Sequence, residues 1–134
     1  MKSSVVKNPE RERRPLIGVV DADASVRGAL QTLIRSHGYD ATSYASAEEV
    51  PGDLSRFDLL IVGEELPGMS GVELLEKVQA RGLHLPSIVL TSAGDIPLTV
   101  RAMRAGAADC LEKPFFQLAL LKRVEQVLSE SRTG

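Results

Sequence analysis

The segment that decides the fold runs from Phe57 to Gly71 and reads FDLLIVGEELPGMSG. Its apolar run, Leu59–Val62, carries no polar side chain on either face, as is typical of a parallel strand that is covered on both sides. A Pro-Gly pair then makes a turn, and Ser70 and Glu73 have the spacing of a helix capping box. The segment therefore predicts a buried strand that leads into a helix, which is half of a βαβ unit.

The rest of the chain repeats this alternation of short apolar runs and amphipathic helical stretches. We predict strands over residues 16–20, 41–44, 59–62, 87–91 and 109–111, and helices over 25–36, from 46, from 70 to 82, from 95 to 106 and over 117–131. The helix at Ser46 is expected to be short because Pro51 and Gly52 interrupt it. The predicted fold is α/β: a doubly wound five-stranded parallel sheet of flavodoxin-like order 2-1-3-4-5, with five helices on its two faces.

Length and composition indicate one soluble globular domain, with 134 residues of which 43% are hydrophobic and 25% charged. We expect a basic disordered leader over residues 1–14, a domain over 15–131 and a tail over 132–134. No apolar run approaches the roughly 20 residues of a membrane span, and the N-terminus has no apolar signal region. The single cysteine, Cys110, excludes an internal disulfide and favours a reducing compartment. We therefore expect a cytoplasmic protein.

Charge is unevenly spread along the chain, whose net charge is -2. Residues 1–15 carry five basic and two acidic side chains and thus a charge of +3, which leaves -5 on the remainder. The basic leader is either a solvated segment or a contact for nucleic acid or an acidic partner. The acidic body argues against duplex DNA as the ligand of the domain itself.

The residues that follow four of the predicted strands mark a candidate site. They are Asp21 and Asp23 after the first strand, Gly63 and Glu64 after the third, Thr91 after the fourth and Lys113 after the fifth. The carboxyl ends of parallel strands meet at one edge of such a sheet, which is where doubly wound folds bind ligands. The candidate site is therefore an acidic pair, a hydroxyl and an ammonium group at this edge.

An ordered set of motifs resembles the receiver domain of two-component response regulators. The motifs are VDAD at 20–23, LPGMSG at 66–71, LTS at 90–92, AGA at 105–107 and EKPF at 112–115. The resemblance covers about residues 15–131 and is greatest to receivers that precede helix-turn-helix output domains. It implies that two acids after the first strand and an acceptor aspartate hold Mg²⁺, while a hydroxyl and a lysine bind the phosphoryl oxygens. It also implies a cis Lys113–Pro114 peptide.

The chain departs from the family pattern in the acidic part of the site. Asp21 matches the first acid, but Ala22 stands where the family has its second, and Asp23 lies one residue later. Gly63 stands at the acceptor position, four residues before the loop proline, and glycine has no side chain that could accept a phosphoryl group. We therefore expect Mg²⁺ binding to be weak or absent, with Asp21 and Asp23 as remnants of the metal site.

The remaining positions each have two interpretations. Thr91 is either the phosphoryl-binding hydroxyl or a loop-capping group. Lys113 binds a phosphoryl group or forms a structural bridge to Asp21 or Glu64. Cys110 stands where the family has an aromatic switch residue, and it is either a small core side chain or a redox sensor.

These residues predict an atypical receiver that is not phosphorylated on aspartate, is not an enzyme and acts through protein contacts in signalling. The alternative is a phosphorelay receiver with an unconventional acceptor such as Glu64, although neighbouring residues of a strand point to opposite faces. A third possibility is a flavodoxin-like small-ligand or enzyme domain. The chain has no glycine-rich phosphate loop and no paired nucleophile and base, which argues against it.

The resemblance also implies a contact face formed by the predicted fourth helix, fifth strand and fifth helix. This face would bind a signalling partner or a second copy of the chain, with no membrane and no direct nucleic-acid contact. Val100 is either a member of this face or a core residue. The predicted members are Ile96, Val100, Arg101, Arg104, Asp109, Lys122 and Arg123.

Overall fold

The computed structural model describes residues 13–92, 94–115 and 117–133. Five parallel strands form one sheet in the order β2-β1-β3-β4-β5, and the predicted sheet is therefore confirmed. The strands are β1 (Leu16–Val20), β2 (Asp40–Tyr44), β3 (Leu59–Gly63), β4 (Ser87–Thr91) and β5 (Asp109–Glu112). The α-helices are α1 (Ala24–Ser36), α2 (Gly71–Ala80), α3 (Ile96–Arg104) and α4 (Gln117–Thr133).

The prediction of five helices was wrong, because the described residues contain four α-helices. The predicted second helix is a single 3-10 turn over Ala47–Glu49, and Ser46 makes no side-chain cap bond to it. The carboxylate of Glu49 instead accepts a hydrogen bond from Ala45 N at 3.1 Å. Val50 is extended, with φ -70° and ψ 130°, as the residue before a proline usually is, and the turn ends there. The predicted fourth and fifth helices are therefore α3 and α4.

β3 lies at the centre of the sheet and all five of its residues are buried. Leu59 and Ile61 pack into one core cluster with α1 and α4, whereas Leu60 and Val62 pack into a second cluster with α2 and α3. Successive side chains of a strand point to opposite faces, so one apolar run supplies both cores. The helices therefore cover the sheet in two pairs, one on each face.

α2 begins beside the carboxyl end of β3. Ser70 Oγ accepts a hydrogen bond from Glu73 N at 3.1 Å, and Glu73 Oε1 accepts one from Ser70 N at 3.2 Å, so the predicted capping box is confirmed. A side chain at Gly71 would overlap the backbone oxygen of Gly63. Glycine at residue 71 therefore allows the helix to start directly against the end of the strand.

Helix side chains bind backbone carbonyls in or next to both outer strands of the sheet. In edge strand β2 the carbonyl oxygen of Ala41 accepts hydrogen bonds from Gln31 Nε2 at 3.2 Å and Arg35 Nη2 at 2.8 Å. On the opposite edge, Arg123 Nη2 donates to the carbonyl oxygen of Ala108, just before β5, at 3.1 Å. An arginine from an adjacent helix thus binds a backbone carbonyl at each edge.

The predicted leader lies outside the described residues except for Arg13 and Arg14. Arg13 Nη2 is 3.0 Å from Asp58 Oδ1, and Asp58 Oδ2 accepts a hydrogen bond from Leu16 N at 2.7 Å. One carboxylate therefore joins the start of β1 to the start of β3. Within the described ranges, no helix has the length and apolar character needed to cross a membrane.

Candidate functional site at the carboxyl end of the sheet

Asp21 and Lys113 form an ion pair where β1 and β5 end. Lys113 Nζ is 2.7 Å from Asp21 Oδ2, and the Asp21 side chain is 4% exposed whereas that of Lys113 is 32% exposed. The other carboxylate oxygen, Asp21 Oδ1, accepts a hydrogen bond from Asp23 N at 2.9 Å. Both oxygens of Asp21 therefore have partners within the chain, and the structural bridge from Lys113 is formed to Asp21.

A side chain at residue 63 would point at this ion pair. A Cβ built on Gly63 would lie 2.5 Å from Asp21 Oδ2 and 3.5 Å from the carbonyl oxygen of Val20. The Asp21 carboxylate thus occupies the space into which a side chain on the last residue of β3 would extend. Gly63 and Asp21 face each other, although 41 residues lie between them in the sequence.

Asp23 has a structural partner of its own. Its carboxylate caps α1, because Asp23 Oδ1 accepts hydrogen bonds from Ser25 N at 2.8 Å and Val26 N at 3.4 Å. Both Ala22 and Asp23 are exposed. The capping bonds hold the second carboxylate at the start of the helix, a role that the sequence analysis did not assign to it.

Glu64 is directed toward α2 and not toward the ion pair. Glu64 Oε1 accepts a hydrogen bond from Val72 N at 3.2 Å, in the first turn of α2. Burial raises the pKa of the Glu64 carboxyl above its ordinary value. The charged groups that act on it are Arg101 on α3, Glu73 on α2 and Asp95 at the start of α3. Successive residues point to opposite sides, so Gly63 faces Asp21 whereas Glu64 faces the start of α2.

Thr91 lies at the expected edge of the sheet. It is the last residue of β4 and is 4% exposed. Its carbonyl oxygen accepts a hydrogen bond from Lys113 N at 2.7 Å, which holds the ends of β4 and β5 together. The Lys113–Pro114 peptide is cis, as the resemblance implied.

The donor set does not suit Mg²⁺, which takes hard oxygen ligands in nearly octahedral geometry. Of the acids at this edge, Asp21 already binds an ammonium group, Asp23 caps α1 and Glu64 caps α2. In the described part of the chain, no group of three or more His, Cys, Asp or Glu side chains is arranged to hold a metal ion. Weak Mg²⁺ binding remains a prediction.

Cys110 packs as a core side chain. It is partly buried in β5 against the core cluster that includes α2 and α3. Burial raises the pKa of the Cys110 thiol, while a side-chain hydrogen bond with Thr99 opposes that shift. A raised thiol pKa disfavours the reactive thiolate, so the geometry agrees with the small-core-residue interpretation.

The predicted contact face is only partly free. Arg101 donates two hydrogen bonds to Glu76 of α2, from Nε at 3.0 Å and Nη2 at 2.8 Å. Arg123 Nε is 2.7 Å from Asp109 Oδ2. Arg104 and Lys122 are exposed and make no ion pair with another described residue.

The apolar part of this face is larger than predicted. Ile96 and Val100 are 75% and 44% exposed, which excludes a core role for Val100. Met103 and Leu118 are also exposed, at 47% and 73%, and the sequence analysis missed both as surface residues. Met103 follows Ile96 by seven residues and Val100 by three, a helical spacing that could have identified it.

The model of the response regulator receiver domain family matches residues 17–125. The chain is 41% identical over 120 residues to the transcriptional regulatory protein FixJ of Azorhizobium caulinodans, covering 86% of this chain and 56% of that protein. It is 36% identical to nodulation protein W of Bradyrhizobium diazoefficiens, covering 92% of this chain and 55% of that protein. The chain thus spans just over half the length of these curated relatives.

Solved structures show the same architecture. A response regulator receiver protein from Pseudoalteromonas atlantica superimposes with a TM-score of 0.76 at 38% identity, covering 87% of this chain and 99% of that one. A CheY-like receiver domain protein from Methanospirillum hungatei gives a TM-score of 0.80 at 26% identity, covering 90% and 98%. Sheet order, helix placement and sequence agree, and the chain belongs to the response regulator receiver domain family of two-component signalling.

Proposed function

We propose that this receiver signals without aspartyl phosphorylation and that the Asp21–Lys113 ion pair holds its site closed. The observation that carries the proposal is the position of residue 63. The Cβ direction of Gly63 leads to the Asp21 carboxylate, with only 2.5 Å between the built Cβ and Oδ2. Gly63, which faces the site from β3, thus has no side-chain oxygen to offer, and the space before it is filled by the Asp21 carboxylate.

The charges at the site support the same conclusion. Phosphoryl transfer depends on cations that neutralise the transferred oxygens and on an acceptor held in line. Here the ammonium group of Lys113 is bound to Asp21 at 2.7 Å. An incoming phosphoryl group would have to displace that carboxylate, which is almost fully buried.

One observation favours the alternative of a phosphorylated receiver. The relatives are named as regulatory proteins such as FixJ, and the identity to them reaches 41%. In this alternative Glu64 would accept the phosphoryl group. Its carboxylate would first have to leave Val72 N, to which it is bound at 3.2 Å.

The test incubates the protein with acetyl phosphate and Mg²⁺ and measures its intact mass. We expect no phosphoryl adduct on the wild type, a partial adduct on Gly63→Asp and a larger one on the Ala22→Asp/Gly63→Asp double variant. Gly63→Asn is the matched control, because it has the same bulk without an acceptor carboxylate. An adduct on the wild type that Glu64→Gln abolishes would establish the alternative.

We further propose that the signal passes through the α3–β5–α4 face. Four large apolar side chains are exposed in the described residues, and all four lie on the two helices that flank β5. Large apolar side chains left in water on neighbouring elements mark a candidate contact surface. The partner is a signalling protein or a second copy of the chain.

Substitution on this face tests its role in association. Met103→Ser and Leu118→Ser should weaken self-association or binding to the partner, because each removes exposed apolar area that the contact would bury. Both changes should leave the free energy of unfolding within about 0.5 kcal/mol, as surface substitutions usually do. Ala80→Ser, at an exposed position of α2, is the control. Equal sedimentation coefficients for the wild type and the three variants, together with unchanged partner binding, would show that another face is used.

A further inference from the structure

A groove between α2 and α3 shares Val100, Arg101 and Arg104 with the α3–β5–α4 face. It consists of two clefts, of about 440 Å³ and about 420 Å³, that share Gln79 and Ala105 in their walls. We propose that this α2–α3 groove binds a short segment of a partner protein that carries an apolar side chain next to an acidic one. The groove lies at the amino end of β4, which is the opposite end of the strand from Thr91.

The larger cleft would take the apolar side chain. Its walls include Val78 of α2, Leu83 and Leu85 of the following loop and Val127 of α4. Leu83 and Leu85 are only partly buried, so occupation of the cleft would remove further apolar surface from water. A mostly apolar concavity of this size with a few polar groups is typical of a recognition pocket.

The smaller cleft would take the acidic side chain. The charged residues in its walls are Glu76, Arg101 and Arg104. Arg101 is neutralised by two hydrogen bonds to Glu76, whereas Arg104 is exposed and has no ion pair within the described residues. The cleft therefore has one unneutralised guanidinium group, whose planar donors suit a carboxylate.

The two clefts differ in the groups that they offer to the partner segment. Gln79 Nε2 donates a hydrogen bond to the carbonyl oxygen of Arg104 at 3.1 Å, so a carbonyl at the end of α3 is already satisfied. Among the described lining residues, arginines occur only in the smaller cleft. An acidic side chain is thus directed to the Arg104 end and an apolar side chain to the other end.

The test is an amide chemical-shift titration of the full 134-residue chain with two capped peptides, acetyl-LLGDD-amide and acetyl-LLGKK-amide. We expect the acidic peptide to shift the amides of Gln79, Ala105 and Gly106, with a Kd on the order of 1 mM. The basic peptide should bind at least about fivefold more weakly, which corresponds to roughly 1 kcal/mol. Shifts confined to Asp109, Leu118 and Lys122, which belong to the α3–β5–α4 face and lie outside the groove, would overturn the proposal. Equal binding of both peptides, or no shift with the acidic peptide, would overturn it as well.

Two variants separate charge from apolar contact. Arg104→Glu should reverse the preference between the peptides. Lys122→Glu makes the same change of charge on α4, outside the groove, and should leave the preference unchanged. Leu83→Ser should weaken both peptides by a similar factor. If Lys122→Glu matches Arg104→Glu, the preference comes from overall charge and the site is not in the groove. Neither result bears on the phosphorylation test.

Discussion

Replacing Gly63 by alanine should destabilise the domain, although the same change in an unstrained strand usually stabilises it. Gly63 ends buried strand β3 and is not among the glycines with positive φ, so an alanine backbone is tolerated and should by itself contribute about 0.5–1 kcal/mol. The added Cβ would lie 2.5 Å from Asp21 Oδ2, whereas an ordinary contact is roughly 3.5 Å. The carboxylate must therefore move by about 1 Å, which stretches its hydrogen bond to Lys113.

The size of the effect follows from that hydrogen bond. A hydrogen bond to a charged group contributes about 1.5–3 kcal/mol. Because the Lys113 side chain is 32% exposed, water compensates part of the loss, and about 1–2 kcal/mol remains. After subtraction of the alanine gain, Gly63→Ala should lower the free energy of unfolding by roughly 0.5–1 kcal/mol.

Urea denaturation of four proteins measures this coupling. The proteins are the wild type, Gly63→Ala, Asp21→Ala and the double variant. Without the Asp21 carboxylate, Gly63→Ala should stabilise by about 0.5–1 kcal/mol, which gives a coupling energy of roughly 1–2 kcal/mol. Gly28→Ala is the control, because a Cβ there has nothing within 4 Å, and it should stabilise α1. An equal effect of Gly63→Ala in both backgrounds would refute the proposed contact.

Three further predictions concern the helix cap, the buried acid and the metal. Ser70→Ala should cost about 1 kcal/mol of stability in chemical denaturation, while Ser46→Ala, which removes no cap bond, should cost far less. Burial raises the pKa of Glu64 above 4.5, so the native state loses stability relative to Glu64→Gln as pH rises from about 4.5 through the raised pKa. Parallel pH profiles of the urea midpoints for the two proteins would contradict this. Isothermal titration should detect no micromolar Mg²⁺ binding, and such binding abolished by Asp21→Ala would show a working metal site.

The fold could be predicted because its signals are local. The apolar run of β3 and the capping box of α2 lie within fifteen consecutive residues, and both have the structure that their patterns favour. The prediction of a short helix after Ser46 was wrong, because the spacing that favours a capping box also allows the Glu49 carboxylate to bind Ala45 N. A spacing pattern cannot decide between two such hydrogen bonds.

The site was less predictable because its contacts join distant parts of the chain. The residue types and the sheet edge follow from the sequence, but the contact between Asp21 and Lys113 spans 92 positions. The role of Asp23 as a helix cap depends on the direction of its carboxylate, which sequence spacing left open. The exposure of Leu118 depends on where α4 meets the sheet, which the sequence does not specify.

Arg35 protects the β2 edge of the sheet from pairing with a strand of another molecule. A strand from another molecule can extend a sheet only by forming hydrogen bonds with free backbone groups of an outer strand. Here Arg35 binds the carbonyl oxygen of Ala41, in edge strand β2, at 2.8 Å. A strand that adds to β2 would have to displace the Arg35 side chain from Ala41. Sheet extension at β2 is therefore disfavoured, and Arg35→Ala should shorten the lag before thioflavin-positive aggregates form in concentrated solution.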